Sequence, residues 1–251
     1  MIQVRQLNKS FGTQPVLENV DLEIASGESV AIIGRSGGGK SVLLKHLIGL
    51  LQPDAGEVRV DNENITAMNE RELLRVREKF GMVFQGAALF DSMTVEGNVA
   101  FPLLRKKKFT AGEIARRVAA ALEMVDLPGT QQKKPAELSG GMRKRVGLAR
   151  AIIYEPQIVL YDEPTTGLDP IVSDSIDKLM IRVRDQLKVT SVVVTHDMRS
   201  ARRVGNRVLM LHERKIYASG APEEFFASAD PIVRQFVDGV ADTKETISKH
   251  G

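Results

Sequence analysis

The stretch Gly34–Ser41, GRSGGGKS, constrains this chain more than any other. It fits the pattern G-x-x-x-x-G-K-[ST]. It lies between a short apolar run, Ser29–Ile33, and a segment with helical spacing from Lys40 to about Leu50. That is the context the pattern needs: strand, glycine turn, helix. The glycines let backbone N–H groups close around phosphate oxygens, Lys40 supplies a point charge between β- and γ-phosphates, and the Ser41 hydroxyl can ligate Mg²⁺. A glycine-rich turn without a ligand does not account for that placement.

A second helix start also suits an anion. In LSGGMRKRVGLARAI, residues 138–152, Ser139 is a good N-cap and two glycines follow it. Val146, Ala149, Arg150 and Ile153 then recur at helical spacing. A serine hydroxyl beside bare glycine backbone at a helix N-terminus can receive an anion. Yet the segment has no lysine placed as Lys40 is in the first loop.

The rest of the chain reads as an α/β layout. Residues 2–7 and 16–24 alternate as strands, with NKSFGTQ as a turn between them. GEVRVD is another strand, Asn69–Glu78 a helix, and FGMVFQ a return to strand. From about 86 to 156 the character is mostly helical, with Thr110 and Glu113 as a capping box. IVLYDEP, SVVVTHD and RVLMLHE are apolar strands separated by helices, which indicates a parallel sheet. Asp169-Pro170 and Asp230-Pro231 each put an N-cap acid before a proline at the first helical position.

IVLYDE ends a buried strand on Asp162 and Glu163. Carboxylates at the C-terminal edge of a parallel sheet face the ligand crevice. Asp162 could hold a Mg²⁺ shell and Glu163 could polarise an attacking water; an ordinary strand exit capped by acids reads the same way. His196, after VVVT, stands at another strand exit, where a lone histidine is more often structural.

Composition narrows the class. The 251 residues allow one large domain or two small ones, and 43% are hydrophobic, ample for a core. With no cysteine, disulfide frameworks, cysteine catalysis and thiolate metal sites are excluded. The opening MIQVRQLNKSF alternates and carries charge, so no signal peptide is expected, and no run approaches the ~20 apolar residues of a bilayer span. A soluble or peripheral protein follows. A net charge of +3 is small for a nucleic-acid binder. The one basic run, Arg105–Lys108, reads as a solvated loop or a membrane headgroup contact.

The order of these motifs resembles the ATP-binding cassette (ABC) ATPases over essentially the whole chain: the phosphate loop, Gln85 in MVFQG, LSGG, LYDEP, GLDP and VTHD. The resemblance implies a P-loop NTPase core with an N-terminal antiparallel β subdomain and a helical insertion at about 86–156. It implies one domain over 1–240 and a tail over 241–251. ATP and Mg²⁺ are the expected ligands. Phe11 resembles the aromatic residue that stacks on adenine, a position more often tyrosine. The nucleotide set becomes Phe11, Gly34, Arg35, Ser36, Gly37, Gly38, Gly39, Lys40, Ser41, Val42, Gln85, Ser139, Gly140, Gly141 and Asp169. The metal set becomes Ser41, Gln85 and Asp162. Gln85 resembles the glutamine that senses Mg²⁺ and the transmembrane partner, Glu163 the catalytic base, His196 the residue on the γ-phosphate, and Asp169 the loop coupling two subunits. Glu163, His196 and Lys40 form the catalytic set.

The second helix start then has a reason. In this family two subunits associate head-to-tail, and Ser139–Gly141 would face the γ-phosphate held by the other subunit's loop. A homodimer is expected, or a heterodimer with a relative. Met142 stands where glutamine usually follows LSGG. With GAALFDSMTVEGNVAFPL and ADPIVRQFVDGVAD, this resembles the Mla/Mce-associated lipid-trafficking ATPases, which are bacterial with a plastid branch. They serve a transmembrane permease and an Mce-domain substrate-binding protein, and Mla-type systems add a STAS-domain partner. The implied place is peripheral, on the cytoplasmic side of the inner membrane, moving phospholipid or another hydrophobic substrate.

Amino-acid and metal importer ATPases more often read LSGGQ and lack the VRQF tail. Soluble cassettes acting on DNA or ribosomes usually carry coiled-coil insertions, zinc modules or tandem cassettes. A regulatory subunit without turnover would not need Glu163 and His196. Ile232, Val233, Phe236, Val237 and Val240 form one apolar stripe on a short helix. That helix would dock on its own subunit, while ADTKETISKHG could reach a neighbour.

Overall fold

A computed structural model describes residues 1–104 and 108–240. Most of the basic run (105–107) and the tail 241–251, with its expected reach to a neighbour, lie outside the described residues.

The first half runs β1 (Ile2–Phe11), β2 (Gln14–Ile24), β3 (Ser29–Gly34), α1 (Lys40–Leu47), β4 (Ala55–Val60), β5 (Glu63–Asn64), α2 (Glu70–Arg77), β6 (Phe80–Val83), α3 (Val95–Leu104) and α4 (Ala111–Met124). The second runs α5 (Gly140–Ile152), β7 (Ile158–Asp162), α6 (Pro170–Leu187), β8 (Thr190–Thr195), α7 (Met198–Val204), β9 (Arg207–His212), β10 (Lys215–Gly220), α8 (Pro222–Phe226) and α9 (Pro231–Asp238).

The strands form an antiparallel sheet ordered β2-β1-β4-β5 and a larger sheet ordered β10-β9-β3-β8-β7-β6. Neighbours in the larger sheet are parallel except β10, which pairs antiparallel with β9. The α/β class and the antiparallel N-terminal sheet are as expected.

The central strands are unbroken apolar runs because both faces are covered. Val30, Ile32, Leu160, Val192 and Leu209 face the antiparallel sheet and α1. Val159, Tyr161 and Val193 face the core that α3, α4, α5 and α6 build on the other side. Ala31, Ile33 and Met210 pack with Ala201 of α7, Phe225 of α8 and Val233 of α9.

Several boundaries differ from the sequence reading. NKSF stays in β1: register shifts after Leu7 and Lys9 keep the pairing going to Phe11 opposite Gln14, so the turn is short. The helix from Lys40 stops at Leu47, where Gly49 N–H bonds His46 O and Leu50 N–H bonds Lys45 O. β6 stops at Val83, so Phe84 and Gln85 leave the sheet. β10 and α8 had no clear signal, and β10 makes the sheet mixed rather than parallel.

The caps expected at Thr110, Asp169 and Asp230 are present, and the structure adds one at Asn69. Thr110 and Glu113 form a reciprocal box on α4, and Asn69 and Glu72 form another on α2. Asp169 and Asp230 cap α6 and α9 with proline at the first turn. Each cap contributes about 1 kcal/mol. The stripe on α9 packs on its own chain through Val233, Ile232, Phe236 and Val237. Val240, past the end of the helix, is exposed.

Candidate functional site

The sheet order gathers the site. β3 lies beside β8, and β8 beside β7, all parallel. The glycine loop, His196 and the Asp162-Glu163 pair therefore leave adjacent carboxyl ends of one sheet. Gly39 precedes α1 with a φ of 93°, and a Cβ there would stand 2.9 Å from Val16 O. Only glycine fits both the left-handed turn and that approach.

Lys40 is buried at the base of the loop. Its Nζ donates to Gly34 O at 2.8 Å and Arg35 O at 3.0 Å, and lies 3.7 Å from Glu163 Oε1. Burial lowers its pKa, opposed by the charges of Glu163 and Asp162. Ser41 Oγ donates to Asp162 Oδ1 at 2.7 Å. A hydroxyl and a carboxylate paired beside a phosphate loop fit a Mg²⁺ ion, which takes few protein oxygens and completes its shell with phosphate and water. Among the described residues no three His, Asp or Glu side chains gather as a self-sufficient metal cage.

Glu163 is buried, with a left-handed backbone at φ 50° and its N–H bonded to Val194 O at 2.9 Å. Its Oε2 accepts from Thr166 Oγ1 at 3.0 Å and lies 2.8 Å from His196 Nδ1. His196 is thus a contact of the acid, not an isolated strand-exit histidine, and its side chain is 53% exposed. An open imidazole and a sheltered ammonium flank one carboxylate. That arrangement can take a proton from a water and stabilise charge on a phosphoryl group.

Arg35, Ser36 and Gly37 line the open side of the loop, Gly38 is half-buried, and Val42 packs against the core below. Phe11 ends β1 half exposed, with Lys9 Nζ 5.6 Å from its ring centre. A partly open aromatic face at the end of a strand can stack on a planar ring.

Ser139, Gly140, Gly141 and Asp169 form a second group. Ser139 Oγ accepts from Met142 N–H at 3.3 Å, so the expected N-cap is present. A Cβ on Gly141 would stand 2.6 Å from Val172 Cγ1, so glycine is required there by packing as well as by any anion. Val172 lies in the first turn of α6, whose N–H groups at Ile171 and Val172 are capped by Asp169 Oδ1 at 3.0 Å each. Ile171 beside them is 82% exposed.

Lys144 was missed by the sequence reading. It is 7% exposed on α5, and its Nζ donates to Gln85 O and, at 3.3 Å, to Glu163 O. Gln85 itself is exposed. Burial lowers the Lys144 pKa, against the pull of Glu163 and Asp162. Its signal was available: it shares a helix face with Gly141, Gly147 and Leu148, and a cation on a buried face needs acceptors.

Residues 17–166 match a family described as "ABC transporter". The chain is 43% identical over 238 residues to "Probable ribonucleotide transport ATP-binding protein mkl" of Mycobacterium leprae, covering 95% of this chain and 69% of that protein. It spans 66% of the Mycobacterium tuberculosis counterpart. It is 41% identical over 259 residues to "Protein TRIGALACTOSYLDIACYLGLYCEROL 3, chloroplastic" of Arabidopsis thaliana, covering 96% and 74%. It is 40% identical over 242 residues to "Intermembrane phospholipid transport system ATP-binding protein MlaF" of Escherichia coli, covering 96% and 90%. A dimeric, post-hydrolysis structure of the ATP-binding cassette MJ0796 bound to ADP and Pi matches with a TM-score of 0.81 at 34% identity, covering 88% of this chain and 99% of that one.

Proposed function

The chain belongs to the ABC transporter family, and on that premise we infer that it is the ATP-hydrolysing subunit of a transporter that moves phospholipid or a similar hydrophobic cargo. The carrying observation for hydrolysis is the contact set of Lys40, Glu163 and His196 beside the Ser41–Asp162 pair.

In this reading the loop from Gly34 to Val42 holds the phosphates, and Lys40 exchanges its carbonyl partners for phosphate oxygens. Ser41, Asp162 and Gln85 would hold Mg²⁺, which would offset negative charge on the phosphate oxygens. Glu163 takes the proton of the attacking water, while His196, anchored on Oε2, contacts the γ-phosphate. Phe11 stacks on adenine.

Lys40 and Ser139–Gly141 belong to two different groups on one chain, which supports a site completed by a second subunit. A C2 dimer supplies both halves twice, and the MJ0796 structure is dimeric. Ser139–Gly141 then faces the partner's γ-phosphate, and Asp169 with the exposed Ile171 lies at the junction.

The cargo reading rests on the relatives. MlaF is named for phospholipid transport, and the plant protein carries a glycolipid's name. The mycobacterial protein's name points to ribonucleotides, but the chain covers less of that protein than of MlaF. Among the described residues no helix is long and apolar enough to cross a membrane. The similarity to MlaF, an ATP-binding protein of a transport system, supports a membrane permease as partner, with this chain peripheral on its cytoplasmic side, and an Mce-domain and a STAS-domain protein as further partners.

The test is purification of the complex through this chain, followed by ATPase assay and mass spectrometry of its permease and bound lipid. ATP turnover with co-purifying phospholipid supports the reading. Turnover with a bound nucleotide cargo and no lipid moves it to the ribonucleotide class.

A further inference from the structure

One face of α5 grips the segment that carries Gln85. Lys144 Nζ donates to Gln85 O, and Arg150 Nη1 and Nη2 donate to Ala88 O and Ala87 O at 2.7 Å each. Gly147 lies between them, where a Cβ would stand 3.3 Å from Ala87 Cβ. The spacing i, i+3, i+6 puts all three on one side of the helix. The gripped segment is not relaxed. Ala87 and Ala88 have φ values of 60° and 47°, a conformation that persists in a non-glycine residue only where neighbours hold it.

The two cations differ in reach. Among the described residues Arg150 hydrogen-bonds only to the Gln85 segment, whereas Lys144 also bonds Glu163 O across at the end of β7. Glu163 is likewise left-handed at φ 50°. Lys144 is sheltered from water, so its charge is satisfied by these backbone oxygens and by the nearby carboxylates rather than by solvent.

We propose that Lys144 is a positioning residue, an ammonium clamp that fixes the Gln85 carbonyl and the Glu163 carbonyl to the helix beginning at Ser139. Any displacement of α5 then carries the Gln85 segment with it and shifts the backbone of Glu163. The glutamine segment and the acid answer to the same helix through one side chain. This rests on Glu163 as the base, and the experiment separates the two ideas.

Lys144→Met keeps the length and removes the donors; Lys144→Arg and Lys144→Gln restore some. Arg150→Met releases only the Gln85 segment. ATP turnover and nucleotide affinity are measured on the full chain below each variant's melting point, with amide hydrogen exchange over 84–88 and 162–166. Lys144→Met is expected to lower kcat about tenfold or more, the scale of a small misplacement of a reacting group, with nucleotide affinity within about threefold. Arg or Gln should recover part of that loss. Exchange should quicken in both segments for Lys144→Met, and only in 84–88 for Arg150→Met. Unchanged exchange over 162–166 in Lys144→Met overturns the clamp, as does a kcat within about twofold of the parent. A Glu163→Gln chain that turns over ATP within about threefold of the parent defeats the catalytic reading of Glu163 instead, and the exchange result still decides the clamp.

Discussion

His196 Nδ1 lies 2.8 Å from Glu163 Oε2, although the two residues leave different strands. Asp162 pairs with Val194 in the sheet, so the residues that follow each strand emerge side by side. The other oxygen, Oε1, is 3.7 Å from Lys40 Nζ. One carboxylate is thus held from both sides.

Glu163→Gln should keep ATP binding and lose turnover by about 10²–10⁴-fold, or roughly 3–5 kcal/mol of barrier. Gln preserves size and hydrogen bonding but has no basic oxygen of comparable strength. Steady-state ATPase assay with a parallel binding measurement checks this. Turnover within about threefold of the parent rejects Glu163 as base.

Lys40→Ala should act on affinity rather than on chemistry alone. A hydrogen bond to a charged group is worth about 1.5–3 kcal/mol, which corresponds to roughly 10–150-fold in Kd. Equilibrium binding of a fluorescent ATP analogue reads it directly. An unchanged Kd removes Lys40 from the phosphate site.

Lys40→Ala and Ser139→Arg chains should complement each other when mixed. In the heterodimer one site carries both lesions and the other carries neither. If the site is shared between subunits, the mixture regains ATP-dependent cross-linking at one interface. If Lys40 and Ser139 served one phosphate within one chain, the mixture would hold no sound site, and cross-linking would stay at the level of the single variants.

Asp177→Asn should stabilise the fold above neutral pH. Asp177 is 2% exposed on α6, accepts from Ser200 Oγ at 2.5 Å and lies 3.7 Å from Arg203 Nη1. Burial pushes its pKa up to about 6, only partly offset by Ser200 and Arg203. The folded protein therefore holds a proton that the unfolded chain has lost, and that stabilisation is full below the ordinary value of 3.8 and gone once pH passes about 6. At about pH 7.5 the parent carries a buried charge whose removal should add on the order of 1–3 kcal/mol, fading toward about pH 4. Arg203 keeps Asp174 as a partner in the variant. Melting at both pH values tests it; an increment that does not shrink in acid contradicts the assignment.

Much of this was legible because the signals were local. Glycine spacing placed the loop between β3 and α1, and Asp-Pro pairs placed the starts of α6 and α9. What failed was long-range. KIYASG carries an exposed alternation suited to an edge strand, but nothing local says that it closes the β9 side of the sheet. FGMVFQ reads as one strand, yet Phe84 and Gln85 leave the sheet where two donors from far along the chain, Lys144 and Arg150, take the carbonyls of Gln85 and Ala87. The His196–Glu163 contact needed the sheet order, because a strand exit alone does not say which exits are neighbours. The motif order supplied by family resemblance named these residues; it did not supply Lys144.

The left-handed backbone at Glu163 sets conformational strain against charge. Holding a non-glycine residue at φ 50° costs of order 1 kcal/mol, and glycine or asparagine would sit there at less cost. Either would also leave the buried Lys40 ammonium without its carboxylate, and breaking a buried ion pair costs about 3–5 kcal/mol. A library of this chain propagated under heat alone would therefore hold an acid at position 163, whether or not anything downstream demanded work from it.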